Sequence, residues 1–67
     1  EFVVSDRSAV TDVPLSELKC KKGILVAAIM RNGSVIIPRG KDTVQVGDAV
    51  IIVSGDLSLH SLTDILE

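Results

Sequence analysis

Aromatic side chains are almost missing from this chain, in which Phe2 stands alone with neither Trp nor Tyr. Any core it forms must therefore be aliphatic, drawn from Ile, Val and Leu. A single cysteine, Cys20, excludes an internal disulfide. A single histidine, His60, cannot build a metal site with it unless Asp or Glu ligands join from elsewhere. Basic charge is also short: the net charge is −2, and Lys19, Lys21 and Lys22 form the one basic cluster. That leaves no electrostatic footprint for a nucleic acid polymer or an anionic membrane. The longest apolar run, residues 24–30, is far below the length that spans a bilayer, and no signal-peptide layout precedes it. With an unpaired thiol, these absences point to a soluble, cytoplasmic protein.

What is present is hydrophobic residue in excess, 46% of 67 positions. A chain of this size buries only about 60% of the surface its unfolded form exposes, so one lone core is marginal. With an internal disulfide excluded by count and one His and one Cys unable to hold a metal without added carboxylates, self-association is the remaining supplement, and a homodimer is expected from composition alone. The abrupt start, without Met and inside an apolar stretch, implies a fragment of a longer protein, with residues 1–67 forming one domain.

Along the chain, residues 1–4 read as a first or edge strand and residues 5–11 as polar and turn-like. Pro14 suits the first position of a short helix carrying Leu15 and Leu18 on one face, with Gly23 to stop it. Lys19, Lys21 and Lys22 would then complement the dipole at its C-terminal end. Residues 24–30 read as a buried strand with Ile24, Val26, Ala28 and Met30 on one face and Leu25, Ala27 and Ile29 on the other. Asn32-Gly33 is the dipeptide that best tolerates the two positive φ angles of a type I′ turn, and residues 34–37 return as the next strand. Pro38 ends its pairing. A solvated loop follows at 39–42, a second turn at Gly47-Asp48 and another aliphatic strand at 49–53. Leu59, Leu62, Ile65 and Leu66 recur at helical spacing after a Ser58 or Asp56 cap. This predicts a small α+β domain, a mainly antiparallel sheet with two helices in the order β-α-β-β-β-α. The terminal helix would cover one sheet face and leave the other for a partner.

Convergent catalytic chemistry is not found. His60, Ser61 and Asp64 share one short segment and cannot all aim at a common atom. Cys20 has neighbouring lysines but no adjacent base. Gly33, Gly40, Gly47 and Gly55 lie in separate turns and fit no phosphate-binding fingerprint.

Leu15-x-x-Leu18, then Ile29-x-Arg31-x-Gly33-x-Val35-Ile36-Ile37-Pro38-x-Gly40, then Gly47-Asp48-x-Val50-Ile51-Ile52-Val53 resemble the C-terminal regulatory domain of Trk- and Ktr-type potassium-uptake proteins, the TrkA-C or RCK-C domain. The chain departs from the usual pattern at Val13-Pro14 and at Thr43, without losing a core position. The resemblance implies a non-enzymatic, paired regulatory module. It also implies a preceding domain that binds NAD or ATP, and a membrane potassium channel or transporter as partner at the inner face of the membrane. Some relatives bind cyclic di-AMP between two such domains, which here maps onto Ile29, Arg31, Asn32, Ile36, Ile37 and Pro38. A swapped-hairpin DNA-binding domain of the AbrB type is the competing reading, weakened by the scarcity of basic residues. The same module on an antiporter or anion carrier is a third.

Overall fold

The computed structural model describes residues 1–55 and 58–67. Asn32 and Gly33 both take positive φ, 51° and 79°, as a type I′ turn requires, and they close a hairpin between β2 (Ile24–Arg31) and β3 (Ser34–Ile36). A Cβ on Gly33 would meet nothing within 4 Å, so the demand for glycine is conformational and not steric. Gly33→Val is expected to cost about 1–2 kcal/mol, the energy of holding a β-branched residue in the left-handed region, and Gly33→Asn much less. In thermal melts that is a gap of roughly 4–16 °C for so small a domain. Equal midpoints would show that the turn does not hold this conformation in solution.

Two more strands complete the sheet, β1 (Phe2–Val3) and β4 (Ala49–Ser54), in the spatial order β1-β4-β2-β3 with every pair antiparallel. The strands thus lie close to the sequence reading. Their faces do not. Val26 pairs with Ile52 but Ala28 with Ile51, so β2 carries one residue more than β4 across this step, a β-bulge at Ala27. The bulge reverses the alternation: Ile24, Val26 and Ile29 share the core face, while Leu25, Ala28 and Met30 share the outer one. The grouping of Ile24 and Val26 with Met30 is therefore corrected.

The two expected helices are also corrected. Leu15–Glu17 and Leu62–Ile65 each form a single 3-10 turn, so the domain is mainly β and not α+β. Each segment is too short for a nucleated α-helix and finds better partners for its backbone. The Leu15 and Ser16 N–H groups donate to the carbonyls of Asp42 and Gly40, both at 2.9 Å. Pro14, extended at ψ 135°, precedes the turn instead of opening a helix. The lysines lie on no helix end: Lys21 N–H donates to the Ile65 carbonyl and Glu67 N–H to the Lys19 carbonyl, pairing this stretch with the tail. Capping by Asp56 lies outside the described residues. Among them, Asp64 takes that role, its carboxylate accepting the N–H groups of His60 and Ser61 at 2.9 and 3.0 Å. Those two bonds hold Asp64 below the usual carboxylate range.

Val4, Val10, Ile29, Val44, Val50 and Ile65 form the buried core, with Leu59, Leu62 and Leu66 of the tail packed against it. The tail therefore covers the core face of the sheet, as expected, though without a helix. The outer face carries Val3, Leu25, Val35 and Val53, each more than half exposed.

Candidate functional site

Arg31, the last residue of β2, lies on the core face and reaches the turn that precedes β4. Its Nε donates to Asp48 Oδ1 at 2.9 Å and its Nη2 to Asp48 Oδ2 at 2.8 Å, a bidentate ion pair, and Nη2 also donates to the Thr43 carbonyl at 2.9 Å. Asp48 is 1% exposed. Its Oδ2 accepts the Gln45 N–H at 2.9 Å as well, so the buried carboxylate is fully engaged. The turn itself is closed by the Asp48 N–H donating to the Gln45 carbonyl at 3.0 Å, with Gly47 at φ 97°, the positive value that a type II turn asks of its third residue. The hydrogen bond to Arg31 holds the Asp48 carboxyl below its ordinary 3.8, against the opposing effect of burial. The same bond raises Arg31.

This clasp also locks the first strand. Val4 N–H donates to the Asp48 carbonyl at 2.8 Å, and Gly47 N–H to the Val4 carbonyl at 2.7 Å. In the sequence Asp48 is legible only as a turn residue. Its role is visible there solely as an acid placed next to an aliphatic strand, 17 positions from a strand-end arginine.

The six residues mapped from the family resemblance do not converge within one chain. Ile29 is wholly buried in the core. Arg31 is held by Asp48, and Asn32 is exposed at the hairpin tip. Ile36 packs against the core, while Ile37 is 72% exposed. Pro38 lines a cleft of about 260 Å³ with Leu15, Cys20, Ile24 and Arg39, and none of the other five reaches it. In that cleft burial, helped by the Glu67 carboxylate, pushes the Cys20 thiol up, away from the thiolate a nucleophile needs. No group of His, Cys, Asp and Glu suited to a metal occurs among the described residues.

Residues 1–67 match the TrkA-C domain family from end to end. The chain belongs to it. TrkA-C domains are regulatory and non-enzymatic, and a match over the whole chain favours this over the swapped-hairpin reading. Similar proteins include two Trk system potassium uptake proteins of Methanosarcina mazei. TrkA homolog 2 is 36% identical over 62 residues, 92% of this chain and 14% of that protein. TrkA homolog 1 is 39% identical over 54 residues, 81% of this chain and 12% of that protein. This TrkA-C domain thus spans about one seventh of the length of the relatives it matches. No helix among its described residues is long and apolar enough to cross a membrane.

Proposed function

We propose that this TrkA-C domain is the dimerising, ligand-sensing module of a longer cytoplasmic protein that regulates a potassium channel or transporter at the inner face of the membrane. The observation that carries the reading is the sheet's outer face, apolar and uncovered on a domain whose own core holds six buried aliphatic residues among the described ones. Full-length relatives named for potassium uptake supply the transport context. NAD or ATP would be bound by a separate domain of the same protein.

The expected ligand is cyclic di-AMP, shared by two copies near their hairpins through Arg31, Asn32, Ile36, Ile37 and Pro38, with Ile29 supporting them from within the core. The clasp is compatible with this. Nε and Nη2 of Arg31 serve Asp48 and Thr43, while Nη1 makes no hydrogen bond to the described residues. A phosphate at Nη1 would add to the clasp without breaking it.

Sedimentation at micromolar concentration is expected to give twice the chain mass, and a stable monomer overturns the dimer. Calorimetry with cyclic di-AMP is expected to give one ligand per two chains. Absence of heat at high ligand concentration would leave a purely structural dimerisation domain.

A further inference from the structure

Asp48 holds two distant parts of the sheet at once. Its side chain takes Arg31 at the end of β2, through Nε at 2.9 Å and Nη2 at 2.8 Å. Its carbonyl accepts the Val4 N–H at 2.8 Å, and the preceding Gly47 N–H donates to the Val4 carbonyl at 2.7 Å. In the strand order β1-β4-β2-β3, the hairpin of β2 and β3 lies at one edge and β1 at the other. The clasp therefore joins opposite edges. Arg31 makes a second tie through the Thr43 carbonyl, since the next residue, Val44, accepts the Asp12 N–H at 2.8 Å and bridges to Thr11.

Beyond this contact β1 is lightly held. It pairs Phe2 with Val50 and Val3 with Ala49, and Val3 is 73% exposed. A short edge strand with few buried contacts belongs to the low-stability end of a domain and opens before the core does. Val4, the buried residue that follows it, depends on where Gly47 and Asp48 stand. Their place depends in turn on the Asp48 carboxylate. A buried charge without its partner is costly, so Asp48 has two tolerable states, clasped by Arg31 or turned out to water. The second moves the turn over residues 45–48 and draws the Asp48 carbonyl and the Gly47 N–H away from Val4. A choice between two discrete arrangements is what a switching element requires.

Resting on the ligand reading above for its input, we propose that Asp48 relays the state of Arg31 at the hairpin to β1 at the opposite edge of the sheet. Arg31 is placed to receive a signal. Its side chain is 28% exposed, and Nη1 makes no hydrogen bond to the described residues while Nε and Nη2 serve the clasp. An anion at Nη1 fixes the plane of the guanidinium and with it the geometry of both bonds to Asp48. The turn then holds Val4 more firmly, and β1 opens less often. By linkage, whatever keeps β1 docked raises the affinity for an anion at Arg31 by the same factor. Arg31 is thus a positioning residue for the first strand as well as a candidate phosphate contact.

The test is amide hydrogen exchange of the 67-residue chain, read residue by residue by NMR. In the wild type the Val4 and Gly47 amides are expected to exchange faster than the Ile29 amide of the core. Arg31→Lys keeps the charge but cannot form the bidentate pair, and it is expected to speed Val4 and Gly47 at least about 10-fold. If both keep their wild-type rates while Ile29 speeds up, Arg31 only stabilises the fold as a whole and the relay is overturned. Should Arg31→Lys fail to fold, Asp48→Asn, which keeps the shape of the side chain, is read in the same way. Cyclic di-AMP at saturation is expected to slow Val4 and Gly47 in the wild type about 10-fold, a coupling of ordinary size. Bound cyclic di-AMP that leaves both amides unchanged overturns the relay. Absence of binding overturns the ligand reading alone, because the comparison of wild type with Arg31→Lys still decides the relay.

Discussion

Asp48→Ala is expected to lower stability by about 3 kcal/mol, because it leaves Arg31 without its carboxylate and removes the acceptor of the Gln45 N–H. For a domain of this size, with a total of roughly 3–10 kcal/mol, that is a large share. The thermal midpoint should fall by about 12 °C or more. Asp6→Ala, at an exposed position, should change it by less than about 0.5 kcal/mol. The clasp also sets an acid limit. Because the folded carboxyl lies below its ordinary 3.8, the unfolded chain takes up the proton first as pH falls. The stabilisation is therefore complete at neutral pH and is lost as pH drops below about 4 toward the lowered folded value. Denaturant melts across this range should show the loss in the wild type and a flatter acid limb in Asp48→Asn. An unchanged limb would mean that Asp48 does not carry the dependence.

Ile29→Ala should cost about 2–5 kcal/mol, since Ile29 is fully buried at the centre of the core and its truncation leaves a cavity among Val44, Val50 and Ile65. Ile37→Ala, at a 72% exposed position, should cost little in the monomer. The pair separates two roles that a linear motif cannot. If Ile29→Ala melts like the wild type, the core has been assigned to the wrong face of β2.

The hairpin was legible because Asn32-Gly33 names its own turn, and the strands were legible because β-branched runs between turn residues have few other uses. The faces of β2 were not. Ala27 and Ala28 are both small and apolar, so either could be the extra residue and nothing in composition marks the bulge. The helices differ for another reason: the spacing of Leu59, Leu62, Ile65 and Leu66 is compatible with a helix. A single 3-10 turn over Leu62–Ile65, followed by an extended bridge from Leu66 to Cys20, satisfies the same contacts. Of the candidate site, Arg31 was found but its partner was not. An acid after a turn glycine reads as solvated until a fold brings a distant arginine over it.

The first strand also bears on how the protein is made. Phe2 and Val3 pair with Val50 and Ala49, and Leu66 bridges back to Cys20, so both ends are stitched to residues far along the chain. A ribosome must release nearly the whole domain before its earliest residues find their partners. Such long-range pairing is expected to make folding slower than for a helical chain of equal length. A truncation ending before Ala49 would leave Phe2 and Val3 without a strand to join.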